Sequence, residues 1–198
     1  DTGRDFQRGF SIEMQRGYGT VSSALVGMMA GHIPWGEGHH DAYEKLSDKV
    51  VSLAAVCEDL PELHNEVVLD PVMKDADGIP APKINYRLSE NSKKMMQFAL
   101  ERSREIFAAA GATGVLRELA PLPGAGWHLM GTARMGEDAT SSVVNEWGRS
   151  HDVKNLFVID GSIFVTGAAV NPTSTIQALA LYIASSIKDK LADGTLFD

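Results

Sequence analysis

The chain has 198 residues, of which 44% are hydrophobic and 22% are charged, and it contains a single cysteine. A chain of this composition can bury a core in one domain or in two small lobes, and it is not disordered. The formal net charge is −8, which argues against a nucleic-acid groove and a basic membrane patch. One cysteine excludes an internal disulfide, and no stretch approaches the roughly 20 apolar residues of a transmembrane segment.

The pattern of residues 1–89 predicts several short strands and one short helix. Mixed or alternating apolar residues indicate strands over residues 6–16, 50–59, 66–69 and 83–88, the last with one buried side. Residues 39–49 indicate a short helix, whereas residues 19–36 give no clear pattern. Residues 75–78 read DADG and predict a turn, because carboxylates and glycine favour tight turns.

A long helix is predicted to follow these strands. Ser89 has the side chain of an N-cap, and Gly111 is a natural stop for a helix over residues 90–110. Its predicted buried stripe consists of Met96, Leu100, Ser103, Phe107 and Ala110. Antiparallel strands backed by helices make an α+β domain over residues 1–120.

A second domain is predicted over residues 121–198, because prolines and glycines at 121–126 interrupt regular structure. The apolar run Leu156–Ile159 suits a strand that is covered on both faces, as in a parallel sheet. A helix is predicted from about Thr173 to Leu191, with a buried stripe of Ile176, Leu179, Ala180, Ile183, Ile187 and Leu191. Strand, loop and helix make half of a βαβ unit, and its parallel partner strands are not evident in the printed sequence.

Two turns in this second domain could bind an anionic cofactor. Asp160-Gly161 follows the predicted strand, at the edge where open parallel sheets bind ligands. Asn171-Pro172 opens the last helix, whose free N–H groups carry a partial positive charge. The alternative is that these are only turn and cap residues, and the spacing alone leaves both open.

His128 stands in a glycine-rich turn between Gly126 and Gly131. A neutral imidazole can take the hydroxyl proton of an alcohol while the adjacent C–H bond gives up hydride, without a Ser or Cys nucleophile. The alternative for this residue is a structural histidine whose hydrogen bonds are satisfied.

The remaining candidates suggest simpler roles. His39 and His40, beside Glu37, are predicted to point apart and to be exposed rather than to bind a metal. His64 and His151 lie in polar turns and are predicted at the surface. Cys57 is predicted to be a small core residue. No metal site is predicted.

The run from His128 to Gly136 reads HLMGTARMG and resembles the H-x-x-G-T-x-R-M-G segment of the glucose-methanol-choline (GMC) oxidoreductases. Blocks at residues 142–145, 155–162 and 170–176 follow in the order and spacing of that family, and residues 58–78 agree more loosely. The sequence is similar to the bacterial sugar and polyol branch, which includes the glucose and gluconate dehydrogenases.

The resemblance implies FAD as cofactor and oxidation of an alcohol, sugar or polyol by hydride transfer to flavin N5. It implies that His128 is the base and that Asn171 is its partner at the second active-site position. Asp160 and Gly161 would contact the FAD chain, while Asn171, Pro172 and Thr173 would lie beside the isoalloxazine. The antiparallel sheet would bind substrate, and residues 121–198 would complete a Rossmann-like FAD-binding domain.

The family's N-terminal dinucleotide fingerprint is absent from the printed sequence. We therefore expect an N-terminal FAD-binding segment or chain as a partner, and poor FAD binding by this chain alone. The final electron acceptor would be oxygen, a quinone, a dye or an electron-acceptor protein. Two alternatives are a non-catalytic, partner-binding subunit that retains the fold, and a hydrolase using Ser162 or Cys57, which lacks the G-x-S-x-G elbow.

Overall fold

The computed structural model describes residues 3–15, 19–116, 118, 126 and 128–196. The elements in chain order are β1 (Phe10–Gln15), α1 (Thr20–Met29), α2 (His39–Leu46), β2 (Ser52–Cys57), β3 (Glu66–Lys74), β4 (Pro80–Asn85), α3 (Glu90–Ala109), a 3₁₀ turn (Gly161–Ile163) and α4 (Thr173–Ala192). Helices and small antiparallel sheets are mixed, as predicted for an α+β protein.

The chain divides into two compact units. The first unit comprises residues 1–57 and 93–123, and the second comprises residues 58–92 and 124–198. β1 pairs with β2 in the first unit and β3 pairs with β4 in the second, both antiparallel. The domain limits at residues 1–120 and 121–198 stay a prediction, and segment 58–92 groups here with the C-terminal residues.

In the first unit, the predicted helix over residues 39–49 is confirmed as α2, and the strand over residues 50–59 is confirmed as β2. The strand predicted over residues 6–16 is confirmed from Phe10 to Gln15, and residue 16 lies outside the described residues. α1 lies within residues 19–36, for which no secondary structure is predicted. Gly27 on this helix makes room for the buried Ile33, since a Cβ on Gly27 would lie 2.5 Å from Ile33 Cδ1.

The β3–β4 hairpin is longer and more exposed than predicted. Its turn is confirmed: Gly78 has φ +82°, and its amide donates to Asp75 O at 3.1 Å. β4 runs from Pro80 to Asn85 rather than over residues 83–88. The predicted burial of Ile84 is wrong, because its side chain is 74% exposed and no described helix or strand covers that face.

The predicted helix over residues 90–110 is confirmed as α3. Ser89 caps it, since its Oγ accepts from the amide of Ser92 at 3.1 Å. Gly111 ends it with φ +77°. The predicted stripe is confirmed at Ser103, which is buried, but it is one position out before that residue: Met95 and Ala99 are buried, whereas Met96 and Leu100 are half-buried. Phe107 is half-buried and Ala110 is exposed.

The predicted strand Leu156–Ile159 does not form. Phe157 makes only an isolated antiparallel bridge with Arg149, and the amide of Val158 donates to Gly148 O at 2.7 Å. Both ends of the apolar run are exposed. No parallel neighbour is present among the described residues, so the run pairs with the nearest preceding segment instead.

The core of the second unit packs on α4, which confirms the predicted C-terminal helix. Val144, Ile163 and Ile183 are fully buried, with Met135, Val158, Phe164, Leu179 and Ile187 packed against them. The predicted burial of Leu191 is wrong, because it is exposed near the end of the helix. Within the part of the chain that is described, no helix is long and apolar enough to cross a membrane.

Candidate functional site

The segment that follows His128 lies along the 3₁₀ turn. The amides of Gly131, Ala133 and Met135 donate to the carbonyl oxygens of residues 161, 162 and 163 at 3.2, 2.8 and 2.8 Å. Leu129, the residue next to His128, also contacts this turn, since its carbonyl oxygen lies 3.6 Å from the Cβ position of Gly161. The backbone therefore places the neighbours of His128 directly against Asp160-Gly161.

Gly161 also brings this segment close to the first turn of α4. A Cβ on Gly161 would lie 3.2 Å from Ile176 Cδ1. Met130 reaches the loop before α4, because its Cε lies 2.9 Å from the Cβ position of Gly167. The segment after His128 thus contacts Gly161 and Gly167, and Gly161 lies beside Ile176 in the first turn of α4.

The side chains of His128 and Asn171 make no hydrogen bond within the described residues. His128 is half-buried and Asn171 is exposed. No hydrogen bond joins either side chain to another described residue, or the two to each other. The next residue after His128, Leu129, and the residue before Asn171, Val170, are both exposed apolar side chains.

Asp160 has a structural role in the turn. Its Oδ1 accepts from the amide of Ser162 at 2.8 Å, which caps the 3₁₀ turn. Hydrogen bonding from Ser162 lowers the pKa of Asp160, so this exposed carboxylate is ionised at neutral pH. The interpretation of Asp160 as a cap residue is therefore confirmed, and a cofactor contact remains a prediction.

α4 begins without a side-chain cap. Pro172 is buried at the N-cap position, and the first backbone bond of the helix joins the amide of Ile176 to Pro172 O at 2.9 Å. The amides of residues 173–175 precede this bond and have no partner within the helix. Because these residues are exposed, the positive end of α4 is accessible to an anion.

His151 is a functional candidate that the sequence missed. The prediction that it lies at the surface is wrong: the residue is half-buried, and its Nε2 lies 2.9 Å from Ser142 Oγ and 3.2 Å from Gly136 O. A carbonyl oxygen can only accept, so Nε2 carries the proton. His151 is therefore not a base toward Ser142, and the pair is not an activated nucleophile.

The other histidines and the cysteine make no comparable site. The rings of His39 and His40 contact each other edge to face at 5.5 Å, so the prediction that they point apart is wrong. No three His, Cys, Asp or Glu side chains of the described residues are placed to hold a metal. Burial raises the pKa of Cys57 to about 11, which is unfavourable for a thiolate nucleophile.

Described residues away from His128 and Asn171 line an open groove and a small cavity. The first unit has an open groove of about 410 Å³ beside Phe6 and Phe98. The second unit has a cavity of about 40 Å³ between Trp147, Arg149 and Leu196. Neither is lined by His128 or Asn171.

The sequence profile of the GMC oxidoreductase family matches residues 61–180, which is more than half of the chain. The chain belongs to the GMC oxidoreductase family. The matched region contains the hairpin, α3, His128, the 3₁₀ turn and the start of α4. This match confirms the family that the HLMGTARMG run predicted.

Several curated relatives agree with this membership. The 2-methyl-1,2-propanediol dehydrogenase of Mycolicibacterium austroafricanum is 40% identical over 199 aligned positions, which cover 98% of this chain and 35% of that protein. Paromamine 6'-oxidase of Streptomyces fradiae is 34% identical, with coverage of 78% and 29%. The fructose dehydrogenase large subunit of Gluconobacter japonicus is 36% identical, with coverage of 73% and 26%. The chain thus spans about a third or less of the length of these relatives.

Proposed function

We propose that this chain is the substrate-binding and C-terminal catalytic part of an FAD-dependent oxidoreductase that oxidises a CH–OH group of an alcohol, sugar or polyol. Family membership supports an oxidoreductase. The three relatives are named for the oxidation of a diol, of paromamine and of fructose, which supports a hydroxylated substrate. The observation that carries the proposal is the set of hydrogen bonds that holds the segment after His128 against residues 161–163.

The start of α4 fits an anionic, planar cofactor. Its first residues are exposed, their amides have no partner within the helix, and no side chain caps them. Asn171, Pro172 and Thr173 would lie beside the ring system of FAD, with Asp160 and Gly161 beside its chain. When bound, FAD would supply the acceptor for the hydride that leaves the carbinol carbon.

The reaction requires a proton acceptor and a group that orients the alcohol. The neutral imidazole of His128 would accept the hydroxyl proton of the alcohol. Loss of this proton lowers the activation free energy for hydride transfer from the carbinol carbon, which carries that hydroxyl group. The amide of Asn171 would donate to the hydroxyl oxygen and hold it beside His128. Neither side chain is occupied by a hydrogen bond within the described residues, so both are available for these roles.

The finer architecture is part of the same proposal. Residues 121–198 would complete a Rossmann-like FAD-binding domain, with parallel strands supplied by an N-terminal FAD-binding segment or chain. The exposed ends of the apolar run 156–159 favour such a covering. An electron-acceptor protein would be a further partner, and the relatives include a protein named as a large subunit.

The test is anaerobic reduction of the flavin in the holoenzyme by a panel of simple diols, sugars, polyols and gluconate. We expect at least one of these alcohols to bleach the flavin absorbance, followed by reoxidation with a dye. A flavin that dithionite reduces but no alcohol does would contradict the substrate class. An assembly of this chain with its N-terminal FAD-binding segment or chain that contains no flavin would instead favour a non-catalytic, partner-binding subunit.

A further inference from the structure

A closed loop lies behind the segment that carries His128. The loop comprises residues 136–151, and the imidazole of His151 closes it by contacting Gly136 O and Ser142 Oγ. Ser142 Oγ in turn donates to Asp138 O at 2.6 Å. Packing at this point is tight, because a Cβ on Gly136 would lie 2.9 Å from Ser142 Cβ.

The direction of these hydrogen bonds is fixed by their chemistry. Gly136 O is a carbonyl and must accept, so the Nε2–H of His151 is the donor. Ser142 donates its hydroxyl proton to Asp138 O, which leaves its oxygen free to accept from the same Nε2–H. His151 therefore acts as a shared donor that joins the two ends of the loop.

The loop is connected to the backbone of the candidate site. Segment 131–136 is hydrogen-bonded on both sides, to residues 161–163 on one side and to residues 143–144 on the other. On the second side, the amide of Val143 donates to Arg134 O at 3.0 Å, and the amide of Gly136 donates to Val144 O at 2.9 Å. The main-chain amide of His151 donates to Val143 O at 3.1 Å, so His151 supports this side twice.

His128 depends on this support for its position. Its imidazole has no hydrogen bond of its own within the described residues. Its placement is therefore set by the backbone that continues into segment 131–136 and by the packing of Leu129 and Met130 against Gly161. A displacement of about 1 Å in a reacting group can lower a rate by about 100-fold.

We infer that His151 is a positioning residue for His128: its Nε2–H holds Gly136 O and Ser142 Oγ, and thereby fixes the segment from which His128 extends. This inference rests on the proposed function of His128 as the base. It assigns no contact between His151 and the substrate or cofactor.

The experiment is a double-mutant cycle in the holoenzyme, with the single-turnover rate of flavin reduction as the readout. His151→Leu removes the donor, and we expect it to slow flavin reduction about 10- to 100-fold, with a change in the substrate Kd of less than about threefold. His151→Gln places an amide N–H near the position of Nε2 and should restore most of the rate. In a His128→Ala background, His151→Leu should cause little further loss, because the two residues act in one step.

The matched control is His64→Leu, the same change at an exposed turn of the same unit. It should leave the rate unchanged. Equal loss from His151→Leu in both backgrounds, or a His151→Leu rate per folded flavin that matches the wild type, would overturn the inference. If His151→Leu does not fold, Ser142→Ala, which removes one acceptor of the His151 Nε2–H, completes the same cycle with His128→Ala, and additive effects would again overturn the inference. An unchanged rate in His128→Ala alone would instead reject the proposed base.

Discussion

Two regions of the second unit, the β3–β4 hairpin and residues 128–163, differ in whether their apolar side chains are buried and in whether their backbone forms strands or helices. The β3–β4 hairpin has an antiparallel ladder, with a register shift after Leu69, yet Val67, Leu69 and Ile84 on it are exposed. Residues 128–163, which we call the site segment, contain only isolated bridges and one 3₁₀ turn, yet Val144 and Ile163 within it are fully buried. Irregular chain, which backbone hydrogen bonds between separate turns hold in place, therefore supplies a large part of the core and of the candidate site, and α4 supplies the rest.

The largest expected effect is on catalysis in the site segment. His128→Ala should lower turnover of the holoenzyme by about two to four orders of magnitude, the usual contribution of a general base. Steady-state rates with a dye acceptor measure it. His64→Ala, beside the hairpin, is the control and should keep the wild-type rate. Equal rates for all three proteins would show that His128 is not the base.

The second prediction concerns the free energy of unfolding and compares a buried isoleucine with an exposed one. Ile163→Ala should lower the free energy of unfolding by about 2–5 kcal/mol, because it opens a cavity in the core. Ile84→Ala should change it by no more than about 0.5 kcal/mol, because that side chain is exposed. Urea denaturation of the 198-residue chain followed by circular dichroism measures both. Similar losses would mean that the exposed face of the hairpin is covered in solution.

Gly148 tests the backbone of the site segment. Its φ is +68°, and a Cβ there would lie 2.4 Å from Val158 O. Gly148→Ala should cost about 1–2 kcal/mol from the backbone conformation alone, and more from displacement of the Val158 carbonyl. Gly114→Ala is the matched control, since Gly114 has ordinary φ and no atom within 4 Å of its Cβ position. A Gly148→Ala protein as stable as the control would contradict this geometry.

The smallest effect concerns pH. Hydrogen bonds from Ser162 lower the pKa of Asp160, so the ionised carboxylate stabilises the folded state above the unfolded pKa of about 3.9. That contribution is lost as pH falls through the lower, folded pKa. Asp160→Asn keeps the cap oxygen but not the charge, so its stability should approach that of the wild type as pH falls toward 2. A stability difference that widens over this range, measured by urea midpoints, would be the opposite result.

Local signals explain which parts of the fold could be predicted. Ser89, Gly111 and the turn at residues 75–78 each determine a nearby backbone conformation, and all three were predicted correctly. The position of α3's buried stripe was one residue out, because apolar residues at both 95–96 and 99–100 satisfy a helical pattern. The prediction of a strand at residues 156–159 is wrong, because an apolar run does not specify which neighbouring strand it pairs with.

The site was predictable only through the family resemblance. The hydrogen bonds from residues 131–135 to residues 161–163 join positions about 30 residues apart, and no periodicity encodes them. His151 was missed for the same reason, since its partners Gly136 and Ser142 meet it only when the loop closes. Backbone pairing between distant turns depends on the packed core rather than on local propensity.

Amide hydrogen exchange of the site segment tests the account most directly. We expect the amides of Ala133 and Met135 to exchange at least about 1,000-fold more slowly than the amide of Leu129, which donates to no described residue. Residue-resolved NMR of the chain would measure all three. Exchange of Ala133 and Met135 at the rate of Leu129 would show that the segment after His128 is not held against residues 161–163, and the proposed site would lose its structural basis.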